Sequence, residues 1–153
     1  MTVESARDPE RPIIGDASAG RCYDRFEGIM KYEVHYNDEF FEVTTHGDAE
    51  PGGFEEFIDL MLGHEKWKPG TTFLVDLSEL NAVPLSEADV RTIAVMCGRR
   101  RAQFGRARCA LLARRNVEYG LARMWEVYVE GEWDVTEHLF RSRDEAISWL
   151  KDF

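Results

Sequence analysis

Between Thr71 and Val90 the chain reads TTFLVDLSELNAVPLSEADV. An apolar run, Phe73-Leu74-Val75, ends on Asp76, and Ser86 then opens a helical spacing. This predicts a buried strand feeding a helix. The same switch between a period of two and a period of 3.6 recurs along the chain. Met30 to Tyr36 alternates as a strand, Asn37-Asp38 marks a turn, and residues 40–45 form a second strand, so an antiparallel hairpin is expected. Phe54, Phe57, Ile58, Met61 and Leu62 repeat at helical spacing, with Pro51 suited to the first turn and Gly63 to the end. Residues 71–76 form the third strand, apolar enough for a central position. Ser86 and Asp89 outline a capping box ahead of Val90, Ile93, Ala94, Cys97 and Phe104 on one helical stripe. Residues 108–113 form a fourth strand, and Asn116 is the expected N-cap of the next helix. That helix carries Val117, Leu121, Met124, Trp125 and Tyr128. Residues 133–140 form a fifth strand, and Ser142 to Glu145 caps a last helix bearing Ala146, Ile147, Trp149 and Leu150.

The order is β-β-α-β-α-β-α-β-α. It predicts an α/β domain with one mixed, mostly parallel five-stranded sheet and four helices, joined by right-handed crossovers. Residues 1–22 hold Pro9, Pro12, Gly15, Gly20 and many charges without a period, so a flexible amino-terminal arm is expected ahead of a domain over residues 23–153. With 153 residues the chain has room for one core without staples.

Composition changes this picture little, since 44% hydrophobic and 31% charged residues are ordinary for a globular domain. No apolar run approaches the ~20 residues of a membrane span. The first twenty residues carry Glu4, Arg7, Asp8, Glu10, Arg11 and Asp16, which speaks against a secretory leader. The cysteines, Cys22, Cys97 and Cys109, are odd in number and widely spaced, which favours buried thiols in a cytoplasmic protein over a disulfide framework.

Charge changes it more. The net charge is −10, yet residues 91–123 hold nine arginines and one acid, a local +8 that leaves −18 elsewhere. Arg99, Arg100 and Arg101 form a basic patch within this window. The arginines either pair with the protein's own acids or receive an anionic ligand or acidic partner. Nucleic acid is not expected, because the remaining acidic surface repels phosphate.

Open α/β sheets place binding crevices at the carboxyl ends of their strands. That rim is expected to gather His46, Asp48, Asp76, Ser78, Arg114, Arg115 and Asn116. Two guanidinium groups just before a helix start suit an anion; alternatively Asn116 only caps and the arginines pair with Asp76 or Asp48. His46, Asp48 and Glu50 are too weak a pattern for a metal site, and no metal or cofactor is expected. Asp76 and Ser78 with a histidine invite a catalytic triad, but no nucleophile elbow accompanies them, so no catalytic residue is assigned. No G-x-G-x-x-G or P-loop occurs. Trp125 and Tyr128 exceed what one helical face buries and leave a patch for a partner or an apolar ligand.

Three segments, FLVDLSELNAVPLSEADV, RCALLAR with NVEYGLARMWEVY, and HLFRSRDEAISWL, resemble the STAS domain of anti-sigma-factor antagonists, and in detail its SpoIIAA-like (STAS/SEC14-like) branch. The resemblance covers residues 30–153. It implies a domain that works by binding proteins or, in some members, nucleotides. It also places Ser86 where the antagonists carry a phosphorylated serine, although the Asp and Gly of their Asp-Ser-Ser-Gly motif are replaced here by Pro84 and Glu87. The expected function is a non-enzymatic regulatory module acting through protein–protein contacts, as a homodimer or with another protein. The alternative is a carrier or sensor of an anionic or amphipathic, lipid-like molecule in the crevice at the strands' carboxyl ends.

Overall fold

The computed structural model describes residues 30–152 in full and, of residues 13–14, 16–18 and 20–22, the backbone alone. The expected arm over residues 1–22, with Cys22, lies largely outside the described residues. Five strands lie side by side in chain order: β1 (Met30–Tyr36), β2 (Phe41–Asp48), β3 (Phe73–Asn81), β4 (Arg108–Leu112) and β5 (Thr136–Phe140). β1 and β2 pair antiparallel through the Asn37 turn, and every later pairing is parallel. Ile13–Ile14 pairs antiparallel with Glu33 and Val34 on the outer side of β1, and Asp16–Ser18 pairs with Gly20–Cys22.

The helices are α1 (Pro51–Leu62), α2 (Glu87–Arg99), a single turn α3 (Arg101–Phe104), α4 (Asn116–Val129) and α5 (Arg143–Leu150). The four expected helices are all present, and the second runs on into α3 after a break at Arg100. Strands in chain order mean that three successive crossovers advance in one direction. With the usual right hand they place α1, α2 and α4 on one face. The main core agrees: Val43, Phe73, Val75 and Leu111 of the strands pack with Ile58, Ile93 and Ala122 of those helices. Neighbouring strand residues point the other way. Leu74 and Ala110, with Phe40, meet Ala146 and Leu150 of α5 on the far face. β4, buried on both sides, is therefore apolar from Cys109 to Leu112, and even Arg108 at its start is buried.

Local chemistry fixes the helix starts. Ser86 Oγ accepts the Asp89 N–H while Asp89 accepts the Ser86 N–H, the reciprocal box expected from the sequence. Ser142 Oγ accepts the Glu145 N–H at the start of α5. Asn116 is not an N-cap. It is the first residue of α4, and the cap position belongs to Arg115, which makes no side-chain capping bond.

β3 is longer than the expected 71–76 segment, and the difference matters. Thr44 pairs with Asp76, but the next pair is His46 with Glu79. One residue of β2, Thr45, thus faces two of β3, Leu77 and Ser78, a β-bulge. The N–H of Ser78 is taken up by Asp76 Oδ1 at 2.9 Å, and Thr45 Oγ1 donates to the Asp76 carbonyl at 2.8 Å. The bulge also resets the alternation. Leu77 and Leu80, an odd number of residues apart, both turn toward the helices.

Candidate functional site

Those two leucines roof an apolar cavity of about 90 Å³ between the sheet and the helices. This lies between the ~30 Å³ share of one water and the ~150 Å³ apolar cavity that holds benzene. Val75, Cys109 and Leu111 form its sheet wall, Phe54 and Phe57 its α1 side, and Val90, Ile93 and Cys97 its α2 side. Leu121, Ala122 and Trp125 of α4 close it, with Trp133 at the base. Phe54, Leu77, Leu85, Leu121 and Trp125 are only partly buried, so the chamber reaches toward solvent near the helix starts. The thiols of Cys97 and Cys109 are free and buried, and loss of solvation pushes both above the ordinary cysteine range. They line the wall as small apolar groups.

Two carboxylates belong to this lining. Glu118 is 3% exposed. Arg115 Nε lies 3.0 Å from its Oε1, and Oε2 accepts from Arg115 Nη2 at 3.1 Å and from the Ala82 N–H at 3.3 Å. Arg115 also donates to the Leu80 carbonyl at 2.6 Å. Glu118 therefore ties α4 to the end of β3. Glu137, on β5, has no such cation. Its Oε1 accepts from the Trp125 indole at 3.1 Å, and its Oε2 is buried without a hydrogen-bond partner. Desolvation dominates and pushes its pKa up to about 7, with Glu126 adding to the rise and the Trp125 bond opposing it. Glu137 thus sits near the midpoint between charged and neutral at neutral pH.

The residues singled out in the sequence do not gather at one place. Asp76 and Ser78 sit inside β3 rather than in a loop after it, and they build the bulge. Their side chains share the α5 face with Glu42, where Arg143 pairs in two-pronged fashion with Glu42, one contact being 2.9 Å. The negative field of Asp76 also reaches Arg143. Arg115 works on the opposite face, against Glu118. The sheet therefore separates Asp76 and Ser78 from Arg115, and the single crevice expected at the rim is corrected to two distinct environments. Ser78 Oγ is buried without a hydrogen-bond partner, so no histidine holds it as a base would. Asp48 accepts from Asn81 at 2.9 Å, His46 is exposed opposite Glu79, and Asn116 Oδ1 accepts from Arg141 at 3.0 Å. Arg114 is exposed, and its carbonyl accepts from Arg141.

The basic patch resolves into pairs with the protein's own acids. Arg100 bonds Asp59 at 2.6 Å and Glu55 at 2.8 Å, and Arg101 meets Asp134 at 2.7 Å. Arg99 remains on the outer surface of α2. Ser86, the suggested phosphoacceptor, is exposed, but its oxygen is engaged in the capping box with Asp89 beside it. Among the described residues, no three His, Cys, Asp or Glu side chains converge as a metal ion requires. No helix among them is long and apolar enough to cross a membrane.

Sequence reasoning missed both cavity carboxylates, though each carries a signal. Glu118, Leu121, Ala122 and Trp125 follow i, i+3, i+4, i+7 spacing, which puts the acid on the buried stripe. Glu137 lies between Val135 and Leu139 on the inward side of an alternating strand.

The crystal structure of an uncharacterized protein of the DUF3478 family from Shewanella loihica PV-4, described as having a SpoIIAA-like fold, superposes with a TM-score of 0.53. The match covers 85% of this chain and 99% of that one at 16% identity. The fold is SpoIIAA-like. At this identity the similarity establishes the architecture alone, and nothing about ligand or partner. No protein-family model and no curated protein matches the chain.

Proposed function

We propose that this SpoIIAA-like domain is a non-enzymatic, cytoplasmic binding module that carries or senses a small apolar or amphipathic molecule in the cavity beneath α1, α2 and α4. One observation carries the reading: a cavity of about 90 Å³ lined mainly by apolar and aromatic side chains. Interiors are otherwise packed to the density of organic crystals, and a void of this size costs stability unless something fills it. The position also refines the expected crevice. The chamber lies under the helices, toward the carboxyl end of β3, rather than on the rim between Asp76 and Arg114. Furan, an apolar ring smaller than benzene, titrated calorimetrically, is the direct test. Binding should weaken at least tenfold when Leu77→Trp fills the roof. No heat from the unaltered protein, or equal binding by the filled variant, would remove the reading.

A second reading is the regulatory protein-binding module. Val83 and Val117, 71% and 53% exposed, bracket the hydrogen bond from Ala82 to Glu118 at the cavity's edge. An exposed apolar pair so placed suits a partner, or a second copy of the chain, that responds to what the cavity holds. Light scattering across a concentration series tests the homodimer, and a strict monomer at every concentration excludes it.

A further inference from the structure

The side of the cavity that reaches toward solvent is bounded by the segment between β3 and α2, by α1 near Phe54 and by α4 near Leu121. Ala82 and Leu85 of that segment belong to the lining, and Leu85, Phe54 and Leu121 are only partly buried. Val83 at its tip is 71% exposed, and Pro84 is exposed beside it. The hydrogen bonds of the segment are nearly all local. The Val83 N–H reaches Asn81 Oδ1 at 3.2 Å, the Leu85 N–H reaches the Ala82 carbonyl at 3.0 Å, and Ser86 is held in the capping box of α2. Among the described residues, only the Ala82 N–H ties residues 82–85 to a distant part of the chain, donating to Glu118 Oε2 at 3.3 Å.

The far end of that tether is fixed. Glu118 is buried in the first turn of α4, and Arg115 pairs with it while donating to the Leu80 carbonyl at 2.6 Å. A buried carboxylate needs a partner for its charge, and Arg115 meets that need. Glu118, α4 and the end of β3 thus form one rigid support, from which residues 82–85 hang by a single bond.

We infer that residues 82–85 are the gate of the cavity and Glu118 its latch: when the Ala82 N–H lets go, the segment swings outward with Leu85, and an apolar occupant enters or leaves there. This rests on the cavity reading and adds how access to the site is regulated. An enclosed occupant exchanges only when the structure opens locally, and such opening is drawn from segments with few buried contacts and few long-range bonds. The sheet wall does not qualify, since Val75, Cys109 and Leu111 lie in paired strands. Ile93 and Cys97 are buried within α2. A latch broken only in the open state slows entry and exit by the same factor and leaves Kd unchanged.

Proton NMR line shapes of furan titrated with the full chain give both rates. Glu118→Leu removes the acceptor at nearly constant volume. It should raise entry and exit about tenfold, the worth of one hydrogen bond to a charged group, with Kd unchanged to within about twofold. Glu118→Gln keeps an oxygen for the Ala82 N–H and should raise both rates less; it also serves if the leucine variant does not fold. Arg143→Ala breaks the Glu42 pair on the far face of the sheet and should leave both rates as they are. Furan binding with unchanged rates in the Glu118 variants, a change confined to Kd, or equal acceleration in Arg143→Ala overturns the latch and leaves the cavity reading standing. No binding of furan to the unaltered protein overturns both.

Discussion

The Trp125 indole N–H donates to Glu137 Oε1 at 3.1 Å, joining α4 to β5 across the base of the cavity. It is the one hydrogen bond of a carboxylate that burial would otherwise force to stay neutral. The bond thus holds two wall residues from different elements against one another.

Stability should depend on pH through this pair. The folded pKa of Glu137, about 7, lies above its ordinary 4.5. Between those values the native protein holds a proton that the unfolded chain has lost. Stability therefore falls as pH rises from about 4.5 to about 7 and levels off above. The whole effect is at most roughly 3 kcal/mol. Glu137→Gln should unfold at a higher urea concentration than the parent at pH 8, and at nearly the same one at pH 4.5. Coincident transitions at pH 8 would show that the carboxylate is not strained by its surroundings.

Trp125→Phe removes the donor but keeps the ring. The Glu137 pKa should move further up, since the indole bond favours the ionised form. Carboxyl carbon chemical shifts followed from pH 4 to 9 would report this directly. A midpoint that stays put, or drops, contradicts the geometry described.

Glu118 is buried, while the side chain of its partner Arg115 is 57% exposed. Arg115→Ala strands a buried carboxylate and should cost about 1–3 kcal/mol in chemical denaturation. Arg115→Ala combined with Glu118→Gln should recover part of that loss, because a neutral amide is cheaper to bury. A double variant as unstable as the sum of the two single ones would mean that the pair is not coupled.

Gly105 has φ +63° and ψ −150°, a conformation open to glycine, and a Cβ there would stand 2.8 Å from the Pro69 Cβ. This turn carries the chain from α3 into β4, and the Gly70 N–H bonds the Phe104 carbonyl beside it. Gly105→Ala should destabilise by about 1–3 kcal/mol. A melting temperature within a degree of the parent would argue against the strain.

The architecture was legible because its signals are redundant. Each of the four long helices carries a stripe, and Ser86, Ser142, Gly63 and Gly105 mark boundaries, whereas the start of α4 lacks a capping side chain and Asn116 falls one residue inside it. The site was less legible because it depends on a defect in the ladder. Asp76 and Ser78 stand out as polar residues after an apolar run, and the sequence offers no sign that two residues of β3 would oppose one of β2. Their chemistry is spent on the backbone instead. Arg99 to Arg101 looked like a patch because linear distance hides the acids that meet them, Asp59 and Glu55 on α1 and Asp134 before β5. Glu118 and Glu137 were overlooked for the opposite reason. A single acid on an apolar stripe resembles surface noise until the strand and helix are seen to face one another.

Had the third strand kept strict alternation past Leu77, Glu79 would point inward where Leu80 does now. One surplus backbone unit therefore decides whether the chamber is walled by hydrocarbon or by an anion. What the interior can dissolve is encoded as much in the counting of peptide links along one strand as in the choice of side chains around it.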